Sequence, residues 1–132
     1  MPQLQNVVLK DRASTPVDHT FTPRNIENGV GETVESQGVP VGENRFTIGL
    51  RRTTSGRYRG EARLVLPQVQ SQVVNGVTTP VVVRTAYATV VFDFAATSTE
   101  AERNNAVGMV QSSLAATVPL VNDTFVKLQG VY

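Results

Sequence analysis

The stretch RFTIGLRRTTSGRYRGEARLVL, residues 45–66, decides the fold. In both halves of it apolar and polar residues alternate, which is the pattern of β-strands that bury one face. Its centre, TTSG at 53–56, has the small polar residues that favour a turn. The stretch therefore predicts two antiparallel strands joined by a tight turn.

Because successive strand residues point to opposite faces, position along the strand assigns each side chain to a face. One face is apolar and takes Phe46, Ile48, Leu50, Gly60, Ala62, Leu64 and Leu66. The opposite face takes Arg45, Thr47, Gly49, Arg51, Arg59, Glu61 and Arg63. The segment 85–93 alternates in the same way and contributes Thr85, Tyr87 and Thr89 to the polar side.

Positive charge is concentrated in this stretch although the whole chain has a formal net charge of only +1. The stretch carries Arg45, Arg51, Arg52, Arg57, Arg59 and Arg63 against the single acid Glu61. A compact basic patch of this kind is the electrostatic footprint of a protein that binds a phosphate backbone. The alternative interpretation is a solvated strand face with no ligand.

The residue types on the polar face favour RNA over duplex DNA. Arginine makes charge-assisted contacts to phosphate, threonine hydroxyls reach bases and riboses, and a tyrosine ring stacks on an unpaired base. Taken singly, Tyr87 is also compatible with a partly buried sheet aromatic, and the threonines with plain β-propensity. Their shared face with the arginines shifts the balance toward RNA.

The rest of the chain predicts an α+β fold with an N-terminal β-hairpin, an antiparallel sheet and two C-terminal helices. Strands are predicted at 4–10, 19–23, 28–36 and 84–95, and a loop at 37–44. The segment 72–83 is β-prone, but Asn75-Gly76 and Pro80 interrupt it and predict a loop at its centre. Helices are predicted at 97–118, where Thr99 and Glu102 form a capping box, and at 119–129, where Pro119 begins and Gly130 ends the helix.

Composition excludes several classes of protein. The 132 residues suit a single domain, and the absence of cysteine removes disulfides, thiol catalysis and cysteine-ligated zinc. No segment resembles a membrane span or a signal peptide, so we expect no membrane partner and a protein made in a cytoplasm. His19 lacks a nucleophile context and is predicted to be an exposed strand or loop residue. Because no metal-ligand or cofactor motif occurs, we expect no cofactor and no enzymatic activity.

The chain resembles the coat proteins of single-stranded RNA bacteriophages (leviviruses) along essentially its whole length. The segments that carry the resemblance are ENGVGE (27–32), RFTIGLRRT (45–53), VNGVTTPV (74–81), RTAYATVVFDF (84–94), STEAERN (98–104) and the terminal GVY. None is specific alone, but their order along the chain makes a chance match improbable.

The resemblance implies a single coat-protein domain, 1–132, with the hairpin and a five-stranded sheet in 1–95 and the helices in 97–129. It further implies an obligate homodimer in which the helices cross the partner and the two sheets join into ten strands. Such dimers build an icosahedral shell around the genome, and the loop at 70–80 takes different conformations at quasi-equivalent positions. The dimer also binds an RNA hairpin at the replicase start site, which represses translation and marks the genome for packaging.

Carried over position by position, the resemblance implies an RNA site that also includes residues outside the stretch at 45–66. Arg45 opens the strand, Thr47 lies in the adenine pocket, Arg51 binds phosphate, and Tyr87 stacks on a base. The remaining members are Val30, Thr53, Thr54, Arg59, Glu61, Arg63 and Thr89. No metal is implied.

Three residues depart from the pattern of the family. Gly49 stands where a serine can occur, Glu61 where a threonine can occur, and Thr89 where some members have Asn or Asp. These differences leave the identity of the recognised hairpin open. Two alternative functions also remain open: an RNA-binding regulator that builds no shell, and a shell protein that packs nucleic acid without specificity.

Overall fold

The computed structural model describes residues 2–36, 38 and 40–132, which form two compact units, residues 1–93 and 94–132. The first unit contains the strands and the second the helices. The strands are β1 (Val7–Lys10), β2 (Asp18–Glu27), β3 (Val30–Glu35), β4 (Asn44–Arg52), β5 (Tyr58–Val74) and β6 (Val77–Phe94), and the helices are α1 (Glu100–Ser113) and α2 (Pro119–Phe125). The strands form one sheet in sequence order. The predicted α+β class is confirmed.

Strand β2 belongs both to the N-terminal hairpin and to the main sheet. Its first half pairs with β1, with Val7 opposite Phe21, and its second half pairs with β3, with Thr22 opposite Val34. A register shift between Pro23 and Asn25 separates the second pairing into two parts. The hairpin and the five-stranded sheet therefore share a strand, and the sheet has six strands in all.

The two Asn-Gly pairs close two-residue turns. Asn28, Gly29, Asn75 and Gly76 all have positive φ values, from 51° to 77°, which suits the turns that join twisted antiparallel strands. The second turn lies where the sequence predicts a loop at the centre of 72–83, but the connection is only two residues long, because β5 extends to Val74 and β6 begins at Val77. The longer loop at 70–80 that the family resemblance implies is therefore not present in this structure. Pro80 lies within β6, which is an edge strand of the described sheet, the kind of strand in which proline is tolerated.

The other predicted loop, at 37–44, is confirmed in the part that the structure describes; Gln37 and Val39 lie outside the described residues. A single 3-10 turn, Pro40–Gly42, occupies its centre, and β4 begins at Asn44.

The helical unit begins with the predicted capping box. The Glu102 backbone N–H donates to Thr99 Oγ1 at 3.2 Å, and the Thr99 N–H donates to Glu102 Oε2 at 3.4 Å. Pro119 starts α2 as predicted, but α2 ends at Phe125 and not before Gly130. Leu128 takes the left-handed conformation with φ 57°, and the Gln129 N–H donates to the Asp123 carbonyl, so the chain turns away earlier. No helix in the described residues is long and apolar enough to cross a membrane.

A small core forms where the N-terminal hairpin covers the apolar side of β3 and β4. Phe21 is 2% exposed and its ring lies 6.3 Å from that of Phe46, at a tilt of 58°. Thr33 is fully buried beside them, and its hydroxyl donates to the Phe46 carbonyl at 2.9 Å, which satisfies the buried hydroxyl. The hairpin is thus held by aromatic packing over one end of the sheet.

His19 lies between two carboxylates and is not the exposed residue predicted from the sequence. Its Nε2 lies 2.8 Å from Asp11 Oδ2, and its Nδ1 lies 2.9 Å from Glu35 Oε1. Asn44 donates to the same Glu35 oxygen at 2.9 Å, which ties the cluster to β4. Asp11 also accepts the backbone N–H groups of Ala13 and Val17, so its carboxylate closes the β1–β2 connection. Only an imidazolium can donate to both carboxylates at once.

These contacts make the attachment of the hairpin dependent on pH. Hydrogen bonds to Asp11 and then to Glu35 raise the pKa of His19 above 6.5, so its stabilising contribution is complete below that value and is lost as pH rises through the raised pKa. Hydrogen bonds from Val17, His19 and Ala13 lower the pKa of Asp11 from 3.8 to about 2, so its contribution is lost as pH falls toward 2. The attachment is therefore strongest between these two limits.

We expect nitrogen NMR of the purified protein to give a raised pKa for the imidazole, and the signal is unambiguous because the chain has a single histidine. Asp11→Asn should lower that pKa more than Glu35→Gln does, since the bond to Asp11 contributes most. An ordinary pKa that neither substitution changes would contradict the bridged arrangement.

Candidate nucleic-acid interface

The pairing of β4 with β5 brings the predicted site residues together in rows. Thr47 lies opposite Arg63, Gly49 opposite Glu61, and Arg51 opposite Arg59. On the other side of β4, Val30 lies opposite Gly49 and Val34 opposite Arg45. We call the surface formed by Val30, Glu32, Arg45, Thr47, Gly49, Arg51, Arg59, Glu61 and Arg63 the polar face. Directly paired residues point the same way, so the predicted separation into two faces is confirmed for β4 and β5.

The arginines of the polar face lack acidic partners. Across the described part of the chain, no ion pair or hydrogen bond from a side chain holds Arg45, Arg51 or Arg59. Arg51 and Arg59 are directly opposed in the register, which places like charges side by side. Opposed like charges destabilise a strand pair, and their repulsion is relieved when a polyanion binds.

Two arginines of the basic stretch do not belong to this surface. Arg52 is paired with Tyr58 on the opposite face, where its guanidinium carbon lies 5.7 Å from the ring centroid. Arg57 follows the turn, and its Nε lies 2.6 Å from Asp93 Oδ1, so its charge is compensated. The sequence count of six arginines therefore overstates the free positive charge on the polar face.

Tyr87 of β6 joins the polar face through Arg63. The guanidinium carbon of Arg63 lies 5.4 Å from the centroid of the tyrosine ring, within the range of a cation–π contact. Tyr87 remains 65% exposed, so most of its ring is open to a ligand. Thr89, two residues further along β6, is also exposed.

The two predicted threonines of the β4–β5 turn lie at the end of the polar face. Thr53 Oγ1 accepts the backbone N–H of Arg57 at 3.2 Å and lies 3.0 Å from Ser55 Oγ. Its hydroxyl therefore holds the turn. Thr54 is exposed and its side chain is open to solvent.

The sequence analysis missed an acidic residue on this surface. Glu32 lies opposite Thr47, and its Oε1 is 4.0 Å from Nη1 of Arg24, which also contacts Glu43 Oε2 at 2.6 Å. The alternation of Val30, Glu32 and Val34 in β3 would have placed it there, but the faces of that strand were not assigned. Arg24 balances the charge of Glu32, so this acid belongs to an ion-pair cluster.

A model of the levivirus coat protein family matches residues 2–132. The chain belongs to the levivirus coat protein family. This coat protein is 64% identical over 130 residues to the capsid protein of Pseudomonas phage PRR1, with 98% of this chain and 99% of the relative covered.

The fold of this coat protein is shared by solved structures. The virus-like particle of bacteriophage ESE058 superposes with a TM-score of 0.85 at 23% identity, covering 99% of this chain and 100% of the other. A bacteriophage structure described as an unassembled coat protein dimer and an RNA-binding dimer superposes with a TM-score of 0.60 at 19% identity, covering 98% of each chain.

The coat protein is thus a structural protein of the virion that assembles into the phage capsid. This confirms the capsid prediction over the alternative of a regulator that builds no shell. The function of the polar face of this coat protein within the shell is inferred below from its arginines and Tyr87.

Proposed function

We propose that this capsid protein binds an RNA hairpin of its genome on the polar face, represses translation of the replicase and so marks the genome for packaging. The observation that carries the proposal is the set of uncompensated arginines, above all the directly opposed Arg51 and Arg59. This opposition does not stabilise the fold, because each cation raises the electrostatic free energy of the other. Phosphate groups bound between them would turn the repulsion into attraction.

The shape and chemistry of the polar face support RNA as the polyanion. A broad sheet does not enter the major groove of a DNA duplex, whereas it can carry the splayed bases of an RNA loop. Tyr87 offers an exposed ring for stacking, and Thr47 offers a hydroxyl beside Arg63. Aromatic, hydroxyl and cationic groups together suit a structured RNA whose loop bases are unpaired.

We further propose that the protein acts as an intertwined dimer. The apolar face of the single chain is open: Ile48 is 51% and Leu50 65% exposed. No residue of either helix is buried, and Met109 and Phe125 are 72% and 66% exposed. Apolar surface on this scale requires a partner. Helices of one subunit laid over the sheet of the other would bury both surfaces.

Strand β6 supports the same dimer from the edge of the sheet. It has 18 residues and one unpaired side in the described chain, which is a template for pairing with another strand. Pairing of β6 with its copy would join β2–β6 of each subunit into ten strands and would bring two polar faces into one continuous surface. A coat protein of the same fold is described as an RNA-binding dimer, which supports a dimer as the unit that binds RNA.

Leu50→Asp should abolish shells seen by electron microscopy of the purified protein. In the single chain the aspartate would be solvated at little cost, but in the dimer it would bury an unpaired charge. Leu50→Met, which keeps the position apolar, should still assemble. Normal shells from the aspartate variant would contradict the burial of this face.

Arg51→Gln should weaken hairpin binding and reduce the slope of log affinity against log salt by about 0.7 to 1, because it removes one phosphate contact. Arg52→Gln is the matched control: it makes the same change of charge one residue away, on the opposite face. Its slope should equal that of the unmodified protein. Equal slopes for all three proteins would contradict the assignment of the polar face to RNA.

Tyr87→Ala should weaken binding of the cognate hairpin by roughly 1–3 kcal/mol, the cost of losing one base stack. Tyr87→Phe keeps the ring and should retain most of the affinity. Affinities should be compared with those for a scrambled RNA at the same salt concentration. An equal affinity for both RNAs would favour a shell protein that packs nucleic acid without specificity.

A further inference from the structure

Glu61 is an unpartnered carboxylate in the middle of the polar face. It is exposed, and Arg59 and Arg63 lie two residues before and after it on the same strand. Within residues 2–36, 38 and 40–132, its carboxylate makes no ion pair or hydrogen bond. Arg63 is turned instead toward the ring of Tyr87, 5.4 Å away. Both carboxylate oxygens are therefore available to a ligand.

The residues in the same row as Glu61 carry no competing polar side chain. Gly49, directly opposite, has no side chain, and Val30 lies opposite Gly49 on the far strand. A Cβ added at Gly49 would lie 3.0 Å from Val30 Cγ2, so the glycine lets the valine close over the backbone. Val30 and Glu61 are two strand spacings apart, about 10 Å, which is wide enough for one base. The row thus has an apolar side chain at one end and a carboxylate at the other.

A carboxylate in this place repels phosphate and accepts only hydrogen bonds, so it selects a base with donors. Guanine is the base whose Watson–Crick edge presents two neighbouring donors, the ring N1–H and the exocyclic N2 amino group. Adenine and cytosine each place an acceptor nitrogen beside their amino group, and uracil has one N–H between two carbonyls. Two parallel hydrogen bonds to an ionised acceptor are the strong case.

We propose that Glu61 selects an unpaired guanine in the RNA bound to the polar face, with both carboxylate oxygens accepting from its Watson–Crick edge. The guanine must lie in a loop or a bulge, because pairing would occupy the same two donors. The flanking arginines hold the phosphates on either side of this base. The inference rests on the proposed function, since it requires RNA on the polar face.

The test begins with synthetic RNA hairpins that have randomised loops and bulges. Hairpins that bind the assembly-competent protein are selected at one fixed salt concentration. The enriched hairpins should share a guanine at one unpaired position. Replacing that guanine by inosine, which lacks the N2 amino group, should weaken binding by about tenfold or more. With the Glu61→Gln protein the inosine penalty should shrink to about twofold or less, because the amide cannot accept both hydrogen bonds.

Glu43→Gln is the matched control, because it makes the same change of charge at a carboxylate outside the polar face, where Glu43 contacts Arg24. Its inosine penalty should equal that of the unmodified protein. Specific binding in which inosine costs the same with and without Glu61, or enrichment without an unpaired guanine, would overturn the role of Glu61 alone. No preference for any selected hairpin over scrambled RNA would overturn the proposed function as well.

Discussion

The register between β4 and β5 is the constraint on which the rest of the molecule depends. It is set by the turn after Arg52, where the Thr53 N–H donates to the Arg57 carbonyl at 2.7 Å. A slip of one residue between these strands would move every side chain of one strand to the other face. If β5 slipped in this way, Arg59 and Arg63 would enter the apolar surface, and Ala62 and Leu64 would lie on the polar face. The polar face and the apolar face, for which different partners are proposed, thus both depend on the short turn between β4 and β5.

Local pattern was sufficient to predict most of the fold and most of the residues of the polar face. Alternation in β4 and β5 assigned both faces, and Thr99 with Glu102 marked the start of α1, because these signals act over a few residues. The family resemblance supplied what alternation cannot, namely the shell and the partner subunit. The dimer and the RNA site remain proposals that the exposed surfaces support.

Two of the errors concern contacts between residues far apart in the chain. The sequence around His19 does not predict its contact with Glu35, and the sequence around Arg57 does not predict its contact with Asp93. The loop within 72–83 was predicted from Asn75-Gly76 and Pro80, and the effect of Pro80 depends on whether its strand is central or at an edge. The end of α2 depended on Leu128 adopting a positive φ, which leucine rarely does.

If the polar face binds the genome as proposed, the opposition of Arg51 and Arg59 makes the RNA a ligand that stabilises the capsid. Without a polyanion, dissolved ions are what screens the repulsion, and screening at this distance improves as ionic strength rises. Added salt therefore stabilises the empty protein, because it screens this repulsion. In the filled particle, added salt weakens the contacts between the protein and the RNA. Such a capsid is most stable when it contains RNA and the ionic strength is low.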